Sequence, residues 1–333
     1  MVRILGVLGL LVGLYGVLIA TDPAASKADN LFLVANDQGR YGVITLGAAL
    51  VIIVGGIDLS IGSVVGAAAV LFGVLMEKGV HPFAAVPLVV LFGCAVGLLN
   101  GLLITKLRLQ PFLVTLCGMF VYRGLARVLG GVVSRSRVTD PANHPEFTEP
   151  LRTVRYLLVG KDQTGELVFP AEFVLLLILA AVIGFFLHRT AYGRYWYAIG
   201  YNDQAARYAG VNVDRQRIIV YTACSALAAL TGVLIFLDLP SIQADSAGSS
   251  WELYAILGAV LGGCSLRGGE GTAVGMVLGA MVLPVLQNVL DFNGIKSDVI
   301  PAVIGFTLLL GVLADELFRR GSGGFRRWFK PGG

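Results

Sequence analysis

The residues of this sequence best suited to chemistry are polar side chains that interrupt otherwise apolar stretches. Asp58, Ser60 and Ser63 interrupt one such stretch in the segment GGIDLSIGS at 55–63. A helix that breaks there leaves free backbone groups, which Asp58 and Ser60 could satisfy as caps of a helix beginning near Ile61. Two interpretations stay open: a capped turn between two helices, or a polar gate beside a path for a solute.

Residue types that do covalent or metal chemistry are few and scattered. The three histidines stand apart from one another and from any HExxH or nucleophile motif: His81, His144 and His188. The four cysteines lie in separate apolar runs without CxxC spacing: Cys94, Cys117, Cys224 and Cys264. We therefore predict no catalytic residue, no metal site and no cofactor.

Composition indicates a membrane protein. Of the 333 residues, 56% are hydrophobic and 14% are charged, whereas a soluble domain has roughly a quarter charged residues. The mean hydropathy is +0.80. These values exclude a water-soluble globular enzyme and favour an all-α, polytopic protein surrounded by membrane lipid. The net charge of +4 is mild, so no nucleic-acid partner is indicated.

The apolar runs predict about ten spans in a single transmembrane domain, 1–333. The spans fall at 4–20, 41–56, 61–77, 82–105, 111–133, 170–188, 217–239, 251–265, 272–290 and 299–316. Residues 31–40 are mildly amphipathic and are predicted to lie along the membrane surface. We expect an uncleaved first helix rather than a secretory signal, because many spans follow it.

The distribution of basic residues predicts the orientation. If the N-terminus is cytoplasmic, the inner segments hold 14 Lys and Arg residues and the outer ones hold 9, which favours cytoplasmic positions for both termini. Residues 134–169 then form an external loop with room for a short strand or helix, serving as a connector or as a docking surface. Residues 188–217 are an inner segment, and 317–333 are a basic cytoplasmic tail.

Several more polar groups lie inside predicted spans. The uncharged ones are Asn100, Thr115, Gln287 and Asn288; each either holds helices together or lines a path. Arg123 and Arg127 are one helical turn apart, and a bare guanidinium in lipid costs at least about 2.5 kcal/mol. They therefore extend to the outer interface or line the path, where guanidinium groups donate hydrogen bonds to hydroxyls.

Glycine spacing predicts close helix packing. Two GxxxGxxxG patterns occur, one in the fourth span and one in the ninth: Gly93, Gly97 and Gly101, then Gly271, Gly275 and Gly279. A short internal echo aligns Gly55-Gly56 with Gly262-Gly263 and is either chance or a structural repeat.

The inner segment contains a short helix with its own stop and start signals. Asn202 is a suitable N-cap, Asp203 suits the positive helix start, and Gly210 can adopt the left-handed conformation that ends a helix. So short a helix is marginal alone. It packs either on its own membrane domain or on a cytoplasmic partner, for which Tyr201, Arg207 and Tyr208 are favourable residues.

These motifs together resemble a known family. They are GGIDLSIG at 55–62, Asn100-Gly101, QPFLVTL at 110–116, Arg123-Gly124, AIGYNDQAARYAGVNVDR at 198–215 and LGGCSLRGGEG at 261–271. Over most of residues 40–315 the sequence resembles the membrane permeases of the ribose/xylose/galactose branch of ABC importers. Asn143-His144-Pro145 further resembles the galactofuranose type. Cys264-Ser265 departs from the Thr-Ser pair of many relatives, and Arg127 is an additional basic residue.

The resemblance implies an ATP-driven importer of a monosaccharide in the bacterial inner membrane, working by alternating access. The implied partners are a cytoplasmic ABC ATPase, a second permease subunit, alike or different, and a periplasmic sugar-binding protein. It implies that 198–215 contacts the ATPase, with candidate coupling residues Asn202, Asp203, Ala206, Arg207, Tyr208 and Gly210. The candidates for the translocation path are Asp58, Ser60, Asn100, Thr115, Arg123 and Asn288.

Two other classes of protein compete with this interpretation. An ion-coupled sugar carrier would work without an ATPase, but it usually needs carboxylates or histidines held inside spans. Apart from Asp58 and Asp238, the acidic residues fall in predicted loops or near the ends of predicted spans. A membrane enzyme has no supporting motif. The chain also lacks GxxxxGK[ST], so ATP must be hydrolysed on another chain.

Overall fold

The structure, a computed structural model, describes residues 2–135, 147–162 and 164–294, together with 299, 302, 303, 305, 306 and 309. Within these ranges the chain is mostly helical. The helices are α1 Val2–Thr21, α2 Ala28–Ile53, α3 Ile61–Glu77, α4 Pro82–Thr105, α5 Pro111–Leu129, α6 Thr148–Val159, α7 Ala171–Arg189, α8 Ala191–Tyr201, α9 Asp203–Tyr208, α10 Val213–Asp238, α11 Trp251–Leu261 and α12 Ala273–Phe292. Two short strands, β1 Val132–Ser134 and β2 Ser241–Gln243, pair antiparallel.

Several helices are suited to crossing a membrane. In the part of the chain that the structure describes, five are long and apolar enough: α4, α5, α7, α10 and α12. Shorter apolar helices are Gly6–Ala20, α3 and α11. The fold is therefore that of a polytopic helical membrane protein, while the predicted span 299–316 and the basic tail 317–333 lie outside the continuously described residues.

Helix α2 corrects the prediction of a surface segment. Residues 31–40 do not lie apart from the second span, because one continuous helix runs from Ala28 to Ile53. Three of the polar residues that made this segment look amphipathic, Asn36, Gln38 and Arg40, are buried. Asn36 Nδ2 donates to the Val159 carbonyl at 2.7 Å, and Gln38 donates to the Tyr15 hydroxyl at 3.1 Å.

The core of the bundle is built around α10, which packs against α2, α3 and α4. The stripe of Gly93, Gly97 and Gly101 on α4 faces α10. A Cβ atom at Gly97 would lie 2.3 Å from the Tyr221 carbonyl oxygen, so no larger residue fits without displacement. Backbones that approach this closely bury extensive van der Waals contact, which drives helix association in lipid.

The prediction of a second glycine stripe is only partly confirmed. Gly271 lies before α12, which begins at Ala273, so it is not on the face of that helix. Gly275 and Gly279 do face α11: Cβ atoms there would each lie 2.0 Å from a carbonyl oxygen, of Gly262 and Gly258 respectively. The loop before Thr272 ends the helical spacing, because Gly271 has a φ of 156°.

Helix α10 also defines two ends of the bundle. Its 26 residues span about 39 Å. Near its start lie α8 and α9, at what we term the knob end. Beyond its last residue lies β2, which pairs with β1 in the register Val133 to Ile242, and α6 packs nearby; we term this the hairpin end. Thus the predicted loop 134–169 contains part of a strand and helix α6.

Candidate functional site

The break between α2 and α3 holds a buried carboxylate. Helix α2 turns at Gly55, whose φ is 76°, and the chain re-enters the bundle through Asp58 to Ile61. Asp58 Oδ1 accepts the Ser60 backbone N–H at 2.8 Å and the Ser60 hydroxyl at 2.6 Å. The prediction that the Ser60 side chain caps α3 is wrong, because this hydroxyl donates to Asp58 and makes no cap hydrogen bond.

A chain of hydrogen bonds connects this carboxylate to two other helices. The Tyr122 hydroxyl of α5 donates to Asn100 Oδ1 of α4 at 2.7 Å, and Asn100 Nδ2 donates to the Ser60 hydroxyl oxygen at 3.2 Å. With Asp58, these four buried side chains form what we term the polar relay. Each donor in it points toward the carboxylate, and hydrogen-bond chains of this kind polarise one another.

Thr115 belongs to the rim of the polar relay. Its hydroxyl bonds to the Pro111 carbonyl at 3.0 Å and lies 3.4 Å from the Ile57 carbonyl oxygen, which the Tyr221 hydroxyl also approaches at 3.4 Å. Sequence reasoning missed Tyr122. Its spacing of seven residues from Thr115, two helical turns along α5, was the available signal.

One oxygen of the relay is left without a partner. Asp58 is almost fully buried, and its Oδ2 has no hydrogen-bond partner among the residues that the structure describes. The Cys224 thiol lies beside the same carboxylate, and no lysine or arginine of the described ranges forms an ion pair with it. An unsatisfied buried acceptor costs free energy. Asp58 Oδ2 is therefore suited to accept a hydrogen bond from water or from a hydroxyl group of a solute.

Two other predicted path residues lie away from the relay. Arg123 donates from Nη1 to the Ala247 carbonyl, and its guanidinium lies close to Gly66 of α3 and near enough to Glu252 for electrostatic attraction. It thus faces protein. Arg127, one turn further, pairs with Asp245 at 2.5 Å near the molecular surface.

Asn288 is used for helix pairing. Its Nδ2 donates to Asn30 Oδ1 at 3.0 Å, and Asn30 Nδ2 donates back to Asn288 Oδ1 at 3.2 Å. This reciprocal amide pair connects the first turn of α2 to α12. The neighbouring Gln287 lies beside Tyr41.

The knob end presents the predicted short helix. Asn202 Oδ1 accepts the Ala205 N–H at 3.0 Å, which confirms it as N-cap of α9. Gly210 follows the helix with a φ of 83°, as expected for its termination. Within α9, Ala206 is buried, whereas Tyr208 is 91% exposed. Helix α8, which precedes α9, was not predicted.

Several charged residues of the knob end form ion pairs with one another. Arg207 Nη2 donates to Asp214 Oδ1 at 2.6 Å, and Arg108 reaches the same oxygen at 3.2 Å. Arg217 lies 3.4 Å from Asp203 Oδ2. These pairs fix α9 on the start of α10, so the aromatic ring of Tyr208 is the largest group that α9 offers to a partner.

The hairpin end contains a buried charge network that sequence reasoning missed. Arg40 donates to Glu172 Oε2 and Oε1 at 3.0 and 3.1 Å and to Asp238 Oδ2 at 2.8 Å. Lys161 also pairs with Asp238. The network joins α2, α7 and α10. Each of these charged residues lies in or beside a predicted apolar span, but their pairing could not be predicted because the partners of Arg40 are 132 and 198 residues away.

The fold and the site together define a polytopic helical membrane protein with a polar break and a small exposed helix at one end. The chain belongs to the family described as branched-chain amino acid transport system / permease component, whose model matches residues 30–313. The sequence resemblance to ABC importer permeases is thereby confirmed.

Curated relatives agree over most of the chain. The ribose import permease protein RbsC of Escherichia coli strain K12 is 33% identical over 303 residues, 91% of this chain and 90% of the relative. The inner membrane ABC transporter permease protein YjfF of the same strain is 34% identical over 267 residues, 80% of this chain and 76% of the relative. The fructose import permease protein FruF of Bifidobacterium longum is 30% identical over 284 residues, 85% of this chain and 76% of the relative. No solved structure matches.

These relatives decide between the classes of protein that the sequence left open. Members of the family are permease components, so this chain is a membrane transport subunit of an ABC importer and not an enzyme. The ion-coupled carrier is correspondingly disfavoured.

Proposed function

We propose that this chain forms the translocation path for a monosaccharide in an ATP-driven importer of the bacterial inner membrane. The observation that carries the proposal is the similarity, over about nine tenths of both chains, to a ribose import permease, together with a fructose import permease among the relatives. The polar relay supports it, because sugars offer hydroxyl groups that can donate to Asp58 Oδ2 and exchange with Ser60 and Asn100.

The proposed topology has ten spans with both termini in the cytoplasm. The knob end is then cytoplasmic and the hairpin end periplasmic, in keeping with the larger number of basic residues in the inner segments. The proposed assembly pairs this chain with a second permease subunit, alike or different. An ABC ATPase binds at the knob end, and a periplasmic sugar-binding protein delivers the sugar at the hairpin end.

The proposed coupling element is α9 with its flanking residues. Asn202 and Gly210 fix the beginning and end of the helix, Ala206 seats it, and Tyr208 contacts the ATPase. Asp203 and Arg207 hold α9 to the start of α10 through Arg217 and Asp214. Nucleotide-driven movement of the ATPase then displaces α9.

The proposed path passes the polar relay. Asp58, Ser60, Asn100 and Thr115 contact the sugar, and Arg123 lies further along the path toward the hairpin end. In alternating access these groups are exposed to one side of the membrane at a time. Asn288 has its amide satisfied by Asn30, so we place it in helix packing rather than in the path.

Reconstitution tests the proposal. The chain is assembled in proteoliposomes with its ATPase, its partner permease and the binding protein, and sugar uptake and ATP hydrolysis are measured. The Tyr208→Ala variant is expected to lose sugar-dependent stimulation of the ATPase, because it removes the exposed ring of α9. Tyr192→Ala, a partly exposed tyrosine of α8, is the matched control and should retain stimulation.

Two outcomes contradict the proposal. One is normal stimulation in Tyr208→Ala. The other is concentrative sugar uptake by the purified chain alone under a proton or sodium gradient without ATP, which would instead show an ion-coupled carrier.

A further inference from the structure

Helices α2 and α11 terminate with the same backbone turn, which also ends α3 at Gly79 and α9 at Gly210. In each, the last residues form a hydrogen-bonded Schellman arrangement that ends on a glycine with positive φ. The N–H donors are Val54, Gly55 and Gly56 after α2, and Gly262, Gly263 and Cys264 after α11. The φ angles are 76° at Gly55 and 90° at Gly263. The sequence echo had paired Gly55 with Gly262, one residue out of register.

The two ends meet each other through their backbones. The Gly269 N–H, in the loop after α11, donates to the Ile53 carbonyl oxygen at 2.9 Å. A Cβ atom at Gly268 would lie 3.0 Å from the Gly55 Cα. The break before the polar relay and the break before α12 are therefore in direct contact.

Gly200, in the last turn of α8, is inserted at this contact. A Cβ atom on Gly200 would lie 1.8 Å from the Ile53 carbonyl oxygen and 2.3 Å from the Gly269 nitrogen. No side chain, even a methyl group, fits there without movement of backbone on both sides. Gly200 precedes the N-cap Asn202 of α9 by only two residues.

A side-chain hydrogen bond reinforces the contact. The Tyr197 hydroxyl, one turn before Gly200 on α8, donates to the Gly271 carbonyl at 2.7 Å. Helix α8 is thus attached to the α11–α12 loop at two levels, through Gly200 and through Tyr197. We term Gly200, Ile53, Gly268 and Gly269, with the Tyr197 bond, the glycine junction.

We propose that the glycine junction transmits movement of α9 to both helix breaks at once, and that Gly200 and Tyr197 are positioning residues for coupling. This inference rests on the proposed function of α9. Backbone-to-backbone contact has no flexible side chain to absorb displacement, since close-packed interiors transmit strain. A shift of α9 reaches Ile53, five residues before Asp58, and simultaneously reaches the loop that leads into α12.

The test uses the complete importer in proteoliposomes and measures sugar molecules imported per ATP hydrolysed. Gly200→Ala is expected to lower this ratio about tenfold, because it wedges the junction open. Tyr197→Phe keeps the ring and removes one hydrogen bond, so we expect a fall of about threefold. Basal ATP hydrolysis and copurification of the ATPase should persist, which separates lost coupling from lost folding.

Matched controls are Gly9→Ala, where a Cβ atom meets nothing within 4 Å, and Tyr192→Phe on the same helix as Tyr197. Both variants should import as many sugar molecules per ATP hydrolysed as the unaltered chain. If Gly200→Ala fails to assemble, Tyr197→Phe alone decides: an unaltered ratio overturns the junction.

The two hypotheses fail in different ways. If the unaltered chain couples, an unaltered ratio of sugar imported to ATP hydrolysed in Gly200→Ala overturns the junction. The proposed function is left standing by that result. Absence of sugar-dependent ATP hydrolysis in every form, the unaltered chain included, overturns the proposed function itself.

Discussion

Replacing Arg40 by methionine tests the energetic importance of the charge network at the hairpin end. Methionine approximates the length of the aliphatic stem and removes the guanidinium. Glu172 would lose both of its hydrogen bonds to Arg40, and Asp238 would retain Lys161 as its partner. The change therefore isolates one buried carboxylate.

The low exposure of Arg40 and Glu172 sets the size of the expected loss in unfolding free energy. The side chains of Arg40 and Glu172 are 9% and 0% exposed, so solvent cannot replace the lost bonds. Breaking a buried pair by removing one partner costs about 3–5 kcal/mol, because the remaining charge is uncompensated. We expect Arg40→Met to lower the free energy of unfolding by that amount. Replacing both, as Arg40→Met with Glu172→Gln, should recover about half of the loss or more, because Glu172→Gln removes the buried charge that Arg40→Met leaves uncompensated.

The assay is denaturant unfolding in detergent, followed by the fluorescence of the three tryptophans. Arg152→Met is the matched control: its pair with Glu149 joins side chains that are 45% and 72% exposed, and exposed pairs contribute about 1 kcal/mol or less. Equal stability of Arg40→Met and Arg152→Met would refute the argument. A double variant less stable than Arg40→Met would show that isolation of Glu172 is not the cause.

Three further predictions follow from individual contacts. Gly97→Ala should lower unfolding free energy by about 1–3 kcal/mol through the contact with Tyr221, whereas Gly13→Ala, with nothing within 4 Å, should not lower it. Asn202→Ala should accelerate hydrogen exchange at the Ala205 amide about fivefold, since an N-cap contributes about 1 kcal/mol. Tyr122→Phe should reduce stability by about 1–3 kcal/mol, because Asn100 Oδ1 loses its donor, and unchanged unfolding would contradict the relay.

Local signals in the sequence were sufficient for much of the helical framework. The limits of α3 and α4 coincide with the predicted spans 61–77 and 82–105, because these apolar runs are bounded by polar residues: Ser60, Lys78, His81 and Lys106. The N-cap Asn202 and the terminating Gly210 were also predictable, since capping acts within a few residues.

Contacts between distant segments could not be predicted in the same way. The polarity of residues 31–40 suggested a surface helix, yet Asn36 and Arg40 are satisfied by residues more than a hundred positions away. Strand β1 forms only because β2 supplies its partner. Gly271 fitted a four-residue spacing, but a spacing does not reveal where a helix begins.

Asp58 shows why the two interpretations of the break needed a structure. A capped turn requires a carboxylate that is fully used by nearby N–H groups, and Oδ1 meets that requirement through Ser60. The second oxygen does not, because it is buried without a partner in the part of the chain that the structure describes. A turn alone gives no reason to retain this unsatisfied acceptor, whereas the proposed path for hydroxyl-bearing solutes does. Under the proposed function, the turn and the gate are the same element: Oδ1 holds the backbone of the break, and Oδ2 is the oxygen offered to the solute.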